Sequence, residues 1–268
     1  MPMRHILSCC VRLGALLAAL AVPVAAREGR FALDDLDLVL HLSDGTVLRG
    51  EALIGLSLVT AVGPNEFEIR IDDIVREGRL AHRGIAFYRM SVKDPVTGSS
   101  QPLCAADPDG ERAAFAFPDG AGRFSITCTS GAEGKCILFG YLPWETRDGV
   151  PLRDLHRACI HMLRADYGGD DHPTTRNGTA VNVYDRLGIQ HPDPAPGMDF
   201  EAAWGSDGAV CVSHTRIADN VSLEELAARY PRLRGRLGPH VCSEEAMRAD
   251  PRALLFNQST LTWRRDKK

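Results

Sequence analysis

The sequence predicts an α+β protein with a mainly antiparallel β framework that is stapled by disulfides. Short alternating apolar runs, separated by turn residues, recur along the chain. A main amphipathic helix pattern lies at about 152–166 and a shorter one at about 222–230. Eight cysteines occur among 268 residues. We therefore expect small sheets that pack against a few helices and are cross-linked by sulfur.

Alternating runs predict the strands. The segments LDLVLHL and TVLRGEAL flank Asp44-Gly45, a strong short-range signal for a hairpin. Further strands are expected at 56–62, 67–74, 85–92, 124–128, 136–141 and 179–184. A second hairpin is expected from 200–204 to 209–217, and strands at 254–256 and 261–263 would close the chain.

The stretch 151–185 holds the main helix. Its apolar residues recur every three or four positions, which places them on one helix face. They are Leu152, Leu155, Ala158, Cys159, Met162 and Leu163. Pro151 suits the first helical turn. Gly168 and Gly169 allow left-handed backbone, so the helix is expected to end near Tyr167.

Two shorter helices are marked by their caps. Ser222 and Glu225 have the spacing of a capping box, and Pro231 follows the expected end of that helix. Ser243 is expected to cap a third helix at 244–249.

The first 26 residues are typical of a secretory leader. Arg4 and Arg12 precede the apolar segment 13–24, and small residues lead up to Ala26, after which we expect cleavage. The protein is then exported to the periplasm or the extracellular space, with an envelope or extracellular partner. We expect no transmembrane segment in the mature chain, because spanning needs roughly 20 apolar residues. The mature chain reads as a β-rich region at 27–95 and an α+β region at 96–268, either separate or continuous.

Six cysteines remain after removal of the leader, and an even number in an exported chain predicts disulfides. They are Cys104, Cys128, Cys136, Cys159, Cys211 and Cys242. The sequence leaves their pairing open. None of them form the C-x-x-C spacing of a zinc cluster.

The formal net charge is −4, and the cations do not form the concentrated patch of a nucleic-acid-binding module. We therefore expect no nucleic-acid partner. Arg153, Arg157, His161 and Arg164 form a basic stripe on the outer face of the main helix. The stripe is either a solvated face or a binding surface for an anionic partner.

His156, His161, Asp166 and His172 are the candidate catalytic residues. The two helical histidines are five residues apart, which separates them by about 140° around a helix. His172 would therefore have to complete a functional pair from the loop. The alternative is that these histidines lie on the surface. No nucleophile motif accompanies them, since the chain lacks a G-x-S-x-G sequence.

Asp170, Asp171 and His172 are the candidate metal ligands. Carboxylates around glycines can hold calcium, and a histidine would favour zinc. The ligand spacing of an EF-hand is absent, and Asp side chains commonly cap turns instead. No cofactor is predicted, with calcium or zinc as the secondary alternative.

The segment ACIHMLRADYGGDDHPTTRNGTAVNVYD resembles the ADYC-domain family of exported bacterial proteins, named for a tetrapeptide that Ala165, Asp166 and Tyr167 match. PLCAADPDG, GKCILFGYLPW, FEAAWGSDGAVCVSHTRI and ALLFNQS are also similar to family segments. The family has no known activity, so the resemblance implies no catalytic residues. Gly168 replaces the cysteine of the tetrapeptide. If that cysteine is normally bridged, the resemblance implies an unpaired cysteine here.

We expect a non-enzymatic exported module for binding or envelope association, because the sequence shows no assembled catalytic set. The alternative is an exported hydrolase or metal-dependent enzyme that uses the His and Asp cluster at 156–172. Convergence of the cluster in one pocket would favour the enzyme, and scattering would favour binding.

Overall fold

The computed structural model describes residues 29–62, 65–75, 85–94, 97–120 and 123–261. The expected leader, its cleavage site and the last residues of the chain lie outside these ranges. The described part contains three larger antiparallel sheets, a two-stranded ribbon, four short or medium α-helices and short 3-10 turns. This confirms the α+β fold class.

Two sheets fill the first half of the chain. The first has the order β1-β2-β3 and comprises β1 (Gly29–Asp34), β2 (Asp37–Leu42) and β3 (Val47–Arg49). The β2–β3 hairpin turns at Asp44-Gly45 as predicted, and Gly45 has a φ of 85°. Leu38, Leu40 and Leu42 of β2 are buried against the second sheet.

The second sheet has the order β4-β5-β6-β8-β9, with β7 beside one end of β6. Its strands are β4 (Ser57–Val62), β5 (Asn65–Val75), β6 (Phe87–Lys93), β7 (Ser100–Pro102), β8 (Ala113–Gly120) and β9 (Arg123–Cys128). Strands from both of the expected regions, 27–95 and 96–268, belong to this sheet, because β6 pairs with β7 and β8.

The strand predicted at 136–141 is wrong, because this segment belongs mostly to a helix, α1 (Ala132–Leu138). A short apolar run has no periodicity that separates helix from strand. The helix packs directly onto the end of β9, since a Cβ at Gly134 would lie 2.2 Å from the Cys128 carbonyl oxygen. Cys136 and Ile137 are buried by this packing.

A two-stranded ribbon of β10 (Thr146–Arg147) and β11 (Val150–Pro151) leads into the main helix, α2 (Leu152–Arg164). The buried face of α2 is close to the prediction, except that Leu163 is half-buried and His156 is buried. The helix ends earlier than predicted. Ala165 rather than a glycine takes the left-handed conformation, with a φ of 48°.

The last sheet has the order β12-β15-β13-β14 and packs under α2. Its strands are β12 (Val181–Asp185), β13 (Met198–Gly205), β14 (Gly208–Val212) and β15 (Leu255–Thr260). The hairpin predicted around 205–208 is confirmed as β13–β14. β15 is a single strand, whereas the sequence predicted two short strands at 254–256 and 261–263. Residues 262 and 263 of the second predicted strand lie outside the described residues.

The two capped helices are confirmed as α3 (Leu223–Arg229) and α4 (Glu244–Arg248). The Ser222 side chain accepts from the Glu225 backbone N–H, and the Glu225 carboxylate accepts from the Ser222 backbone N–H, which completes the capping box. Ser243 caps α4 by accepting from the Ala246 backbone N–H.

Three disulfides staple the fold. They join Cys104 to Cys128, Cys136 to Cys159 and Cys211 to Cys242. All six cysteines outside the expected leader are thus paired. The resemblance implied that one cysteine would be unpaired, and this expectation is wrong for this chain. The helices of the described part contain no segment that is both long and apolar enough to cross a membrane.

Candidate functional site

The candidate site lies where α2 ends, at Ala165, Asp166, Tyr167 and Gly168. Ala165 turns the chain out of the helix, and the three following residues contact three different neighbours. The Ala165 carbonyl oxygen accepts a hydrogen bond from the Thr174 hydroxyl at 2.7 Å. The loop after the helix is thereby folded back against the helix end.

Asp166 organises that loop from inside. Its side chain is buried and accepts backbone hydrogen bonds from Gly169 at 2.9 Å and from Asp171 at 3.0 Å. The His161 ring nitrogen Nδ1 lies 3.0 Å from Oδ2 of Asp166, the oxygen that also accepts from the Asp171 N–H. Burial by itself raises the pKa of Asp166, but His161 and the backbone N–H groups outweigh it and lower the pKa to about 2. The carboxylate is therefore charged near neutral pH and has a structural role.

Tyr167 enters a fully buried polar network. Its hydroxyl donates to Glu201 at 3.0 Å and accepts from the Arg216 backbone N–H at 2.8 Å, and its ring stacks on Trp204. The Arg216 guanidinium makes two 3.0 Å bonds to the Glu201 carboxylate. Asn257 also donates to Glu201, at 2.8 Å. Every polar group in this network has a partner, as a buried ion pair requires.

The Arg216 guanidinium also caps α2. It donates to the carbonyl oxygens of Met162 at 2.7 Å and Leu163 at 3.0 Å, which are among the last carbonyls of the helix. Burial lowers the pKa of Arg216, but the Glu201 carboxylate outweighs this and raises it. Burial raises the pKa of Glu201, but Arg216 and neighbouring hydrogen bonds lower it overall. Both groups therefore stay charged inside the protein.

Gly168 lies under an aromatic ring. A Cβ at this position would meet the Tyr230 ring at 2.2 Å, so the residue has no room for a cysteine while Tyr230 stays in place. The next residue, Gly169, approaches the β13–β14 turn, where a Cβ would lie 2.2 Å from the Asp207 carbonyl oxygen. Arg232 closes the junction by donating to the Tyr167 and Gly168 carbonyl oxygens, each at 2.9 Å.

His156 lies in a different part of the core. Its Nδ1 is 2.9 Å from the Tyr141 carbonyl oxygen, and its ring stacks on Phe117 with a centroid distance of 5.6 Å. Its Nε2 is buried and has no hydrogen-bond partner in the described part of the chain. Burial lowers the pKa of His156 to about 4, despite the backbone hydrogen bond. The ring is thus neutral near pH 7, with its proton on Nδ1 because a carbonyl can only accept.

The structure does not bring the predicted catalytic residues together. His161 and Asp166 are paired, whereas His156 lies in the core and His172 is exposed in the loop. Of the other two loop carboxylates, Asp170 accepts from the Tyr230 hydroxyl at 3.0 Å and Asp171 pairs with Arg164 at 2.5 Å. Among the described residues, no group of three His, Cys, Asp or Glu side chains could hold a metal ion.

The predicted basic stripe is also divided among neighbours. Arg153 is exposed, and Arg157 reaches Asp207 at 3.3 Å. Arg164 pairs with Asp171 and lies at the rim of a groove. Arg164 is therefore the stripe residue that lines this groove.

A groove of about 1120 Å³ runs between α1 and the C-terminal half of α2. The loop 105–108 and the start of α1 form one wall, and Ile160, Leu163, Arg164 and the loop 173–179 form the other. Four cationic residues line it: Lys135, Arg164 and Arg176, and also Arg216, whose buried side chain is paired with Glu201. The groove therefore combines apolar walls with positive charge.

The two acidic residues of the groove are already engaged. Asp107 accepts from the backbone N–H of Asp109 at 3.0 Å and from the Thr129 hydroxyl at 3.1 Å. Glu133 accepts from the Thr127 hydroxyl at 2.6 Å. These neutral donors fix the positions of the two carboxylates, which remain as negative charges in the lining beside the cations.

Sequence reasoning missed Glu201, Arg216 and Arg232. Glu201 was detectable in principle, because it is the one charged residue of the otherwise apolar segment FEAAWG. Its burial follows from an irregularity in the β13–β15 register next to Phe200. Nothing in the local pattern indicated that Arg216 and Arg232 would close on it and on the α2 loop.

Comparison with known proteins gives one finding on family and two negative results. The ADYC domain model matches residues 50–218, which is more than half of the chain. No curated protein and no solved structure matches the chain. The matched region contains the second sheet, α1, α2, the β13–β14 hairpin and Arg216.

Proposed function

The chain belongs to the ADYC-domain family, and we propose that it is an exported, non-enzymatic binding module whose ligand carries anionic groups. The observation that carries the proposal is the groove between α1 and α2, with Lys135, Arg164 and Arg176 along its walls. Clefts with apolar walls and a few convergent charged groups are typical ligand sites.

The three cations are available to a ligand. Lys135 makes no ion pair within the described ranges. Arg164 and Arg176 pair with Asp171 and Asp219, which are 80% and 83% exposed. Surface ion pairs of this kind contribute little to stability, so exchanging an aspartate for a ligand anion costs little. Arginine is also well suited to bidentate binding of carboxylate or phosphate.

The polar groups that could support catalysis have structural partners instead. His161 and Asp166 hold the α2 loop, and Glu201 and Arg216 hold the helix end to the sheet. His156 is stacked in the core away from this loop. By the criterion of convergence, this arrangement supports binding over the alternative hydrolase or metal enzyme.

Export is supported by the paired cysteines together with the leader-like segment at 1–26. We propose that the mature protein acts in the periplasm or outside the cell, where an envelope component or an extracellular molecule supplies the anionic groups.

The test is titration calorimetry of the mature protein with three anionic probes: inorganic phosphate, polyglutamate and a sulfated oligosaccharide. We expect binding that weakens with salt, and a loss of about tenfold or more when Lys135, Arg164 and Arg176 are all changed to Gln. The matched control changes three exposed cations outside the groove, Lys93→Gln with R147Q and R153Q. Equal binding by both triple variants, or no binding of any probe, would contradict the proposal.

A second measurement addresses the alternative function. Elemental analysis of the purified protein should show no stoichiometric zinc or calcium. Ester, peptide and phosphoester substrates should not turn over. A stoichiometric metal that is lost in Asp170→Asn or His172→Gln, or turnover that is lost in His161→Asn, would establish the enzyme instead.

A further inference from the structure

The second sheet has two edges that run in the same direction. Each neighbouring pair in the order β4-β5-β6-β8-β9 is antiparallel. Four reversals separate β4 from β9, so these two edge strands point the same way. They cannot close on each other as an antiparallel pair, whereas one extra strand antiparallel to both would fit between them.

The two edges border one apolar groove. Its volume is about 1020 Å³, and Leu58 and Val59 of β4 line it opposite Phe124 and Ile126 of β9. Gly29, Arg30 and Phe31 of β1 also line it, and β1 lies near β9. Among the described residues, the outer sides of β4 and β9 have no strand partner. Alternate backbone N–H and C=O groups on the outer sides of both strands therefore have no hydrogen-bonded neighbouring strand among the described residues.

The β4 edge lacks the usual protection. Its sequence, SLVTAV, contains no charged residue and no proline, and Val59 is 69% exposed. Natural proteins normally protect exposed edges with charges, proline, bulges or covering loops. The last sheet shows such covering: Asn182 of β12 makes two hydrogen bonds with the Asp193 backbone, and Val212 of β14 bonds to the backbone of Arg236.

We infer that the groove between β4 and β9 is a docking site for an extended strand of a partner polypeptide, antiparallel to both edges. Each edge strand has six residues, so the docked segment is about six residues long, or about 20 Å. Its alternate side chains facing the groove are apolar, and its backbone completes both ladders. Strand addition of this kind combines main-chain hydrogen bonds for affinity with side-chain pockets for specificity.

Segments of this chain outside the described ranges do not suit the groove. After cleavage behind Ala26, only Arg27 and Glu28 would precede Gly29. Residues 76–84 and 262–268 read REGRLAHRG and TWRRDKK and are strongly charged. A second copy that paired its β4 with this β4 would leave β9 unpaired. Arg30 is the one charged residue that lines the groove, so we expect an acidic residue in the partner segment.

This inference is independent of the proposed anionic ligand, because it uses a different surface. The probe is a phage-displayed random heptapeptide library, panned against the mature protein and followed by anisotropy titrations with synthetic copies of the enriched peptides. We expect sequences with apolar residues at alternate positions and an acidic residue beside them. Methylating alternate backbone nitrogens of such a peptide should abolish binding, because the methylated strand cannot form the ladder.

The variant Val59→Lys places a charge on the edge and should weaken peptide binding by about tenfold or more. The matched control is Val47→Lys, at an exposed apolar position on β3 that does not line the groove. Both variants should keep the native melting temperature, because both valines are exposed. Three results would overturn the inference: no enriched peptides, equal binding of V59K or of the methylated peptide, or a native dimer that V59K converts to a monomer.

Discussion

The buried histidine of α2 should make the protein sensitive to mild acid. His156 is 3% exposed, and its Nε2 has no partner in the described part of the chain. Protonation would place a positive charge beside Phe117 in the core, where no described carboxylate bonds to the ring. The perturbation is His156→Phe, which keeps a flat ring against Phe117 and removes the titrating group.

The size of the stability loss in acid follows from the pKa of His156. Burial lowers the pKa of His156 from its usual 6.5 to about 4. The unfolded chain therefore binds the proton more readily than the folded chain between pH 6.5 and pH 4. The stability associated with neutral His156 is complete above pH 6.5 and decreases as the pH falls toward 4. One pKa unit corresponds to about 1.4 kcal/mol, so the decrease is about 3 kcal/mol.

The assay is urea unfolding of the native protein and of H156F at intervals between pH 4 and pH 7.5. At pH 7 the variant should be less stable, by about 1 kcal/mol for the lost hydrogen bond to Tyr141. Near pH 4 the order should reverse, because only the native protein has lost the histidine contribution. His172→Gln in the exposed loop is the control and should leave the pH profile unchanged. A stability difference between native and H156F that does not vary with pH would refute the reasoning.

The other predictions concern the end of α2 and the disulfides. Asp166→Asn should lower the free energy of unfolding by about 2 kcal/mol at pH 7, because the folded pKa is depressed to about 2; the difference should disappear as the pH falls from 4 to 2. Glu201→Gln leaves the charge of Arg216 buried and should cost about 3–5 kcal/mol by urea unfolding, whereas E201Q combined with R216M should cost less than the sum. Gly168→Cys should lower the melting temperature, and adding Tyr230→Ala should restore part of it. Iodoacetamide should label none of the six paired cysteines in the unreduced mature protein.

Each of these has a contrary result. A pH-independent effect of Asp166→Asn would mean that its charge does not hold the loop. Additive effects at Glu201 and Arg216 would mean that the ion pair is not coupled. A Gly168→Cys protein as stable as the native one would mean that Tyr230 moves aside freely, and free thiols would remove the support for export.

Elements with local signals were predictable from the sequence. The Asp44-Gly45 hairpin and the Ser222 capping box depend on residues within a few positions of each other, and both are confirmed. The buried face of α2 follows from helical spacing alone. By contrast, 136–141 was predicted as a strand because its apolar run is short. Its helical form depends on contact with β9 and on the cross-link to Cys159.

The candidate site was only partly predictable, because its contacts join distant parts of the chain. The resemblance located Asp166 and Tyr167, but their partners could not be read from it. Tyr167 contacts Glu201, which is 34 residues away, and Arg216, which is 49 residues away. The sequence left the histidines either as catalytic candidates or as surface residues, yet His156 is buried because it points from α2 toward Phe117 and Tyr141.

The order of the cross-links has a consequence for biogenesis. The six cysteines pair in order along the chain, first with second, third with fourth and fifth with sixth. The bonded partners are 24, 23 and 31 residues apart. A polypeptide that emerges from a translocation channel N-terminus first presents its thiols in this same order. An oxidase that joins each newly arrived thiol to the last free one would therefore produce the native set directly. Recombinant production in an oxidising compartment should need the oxidase and no isomerase.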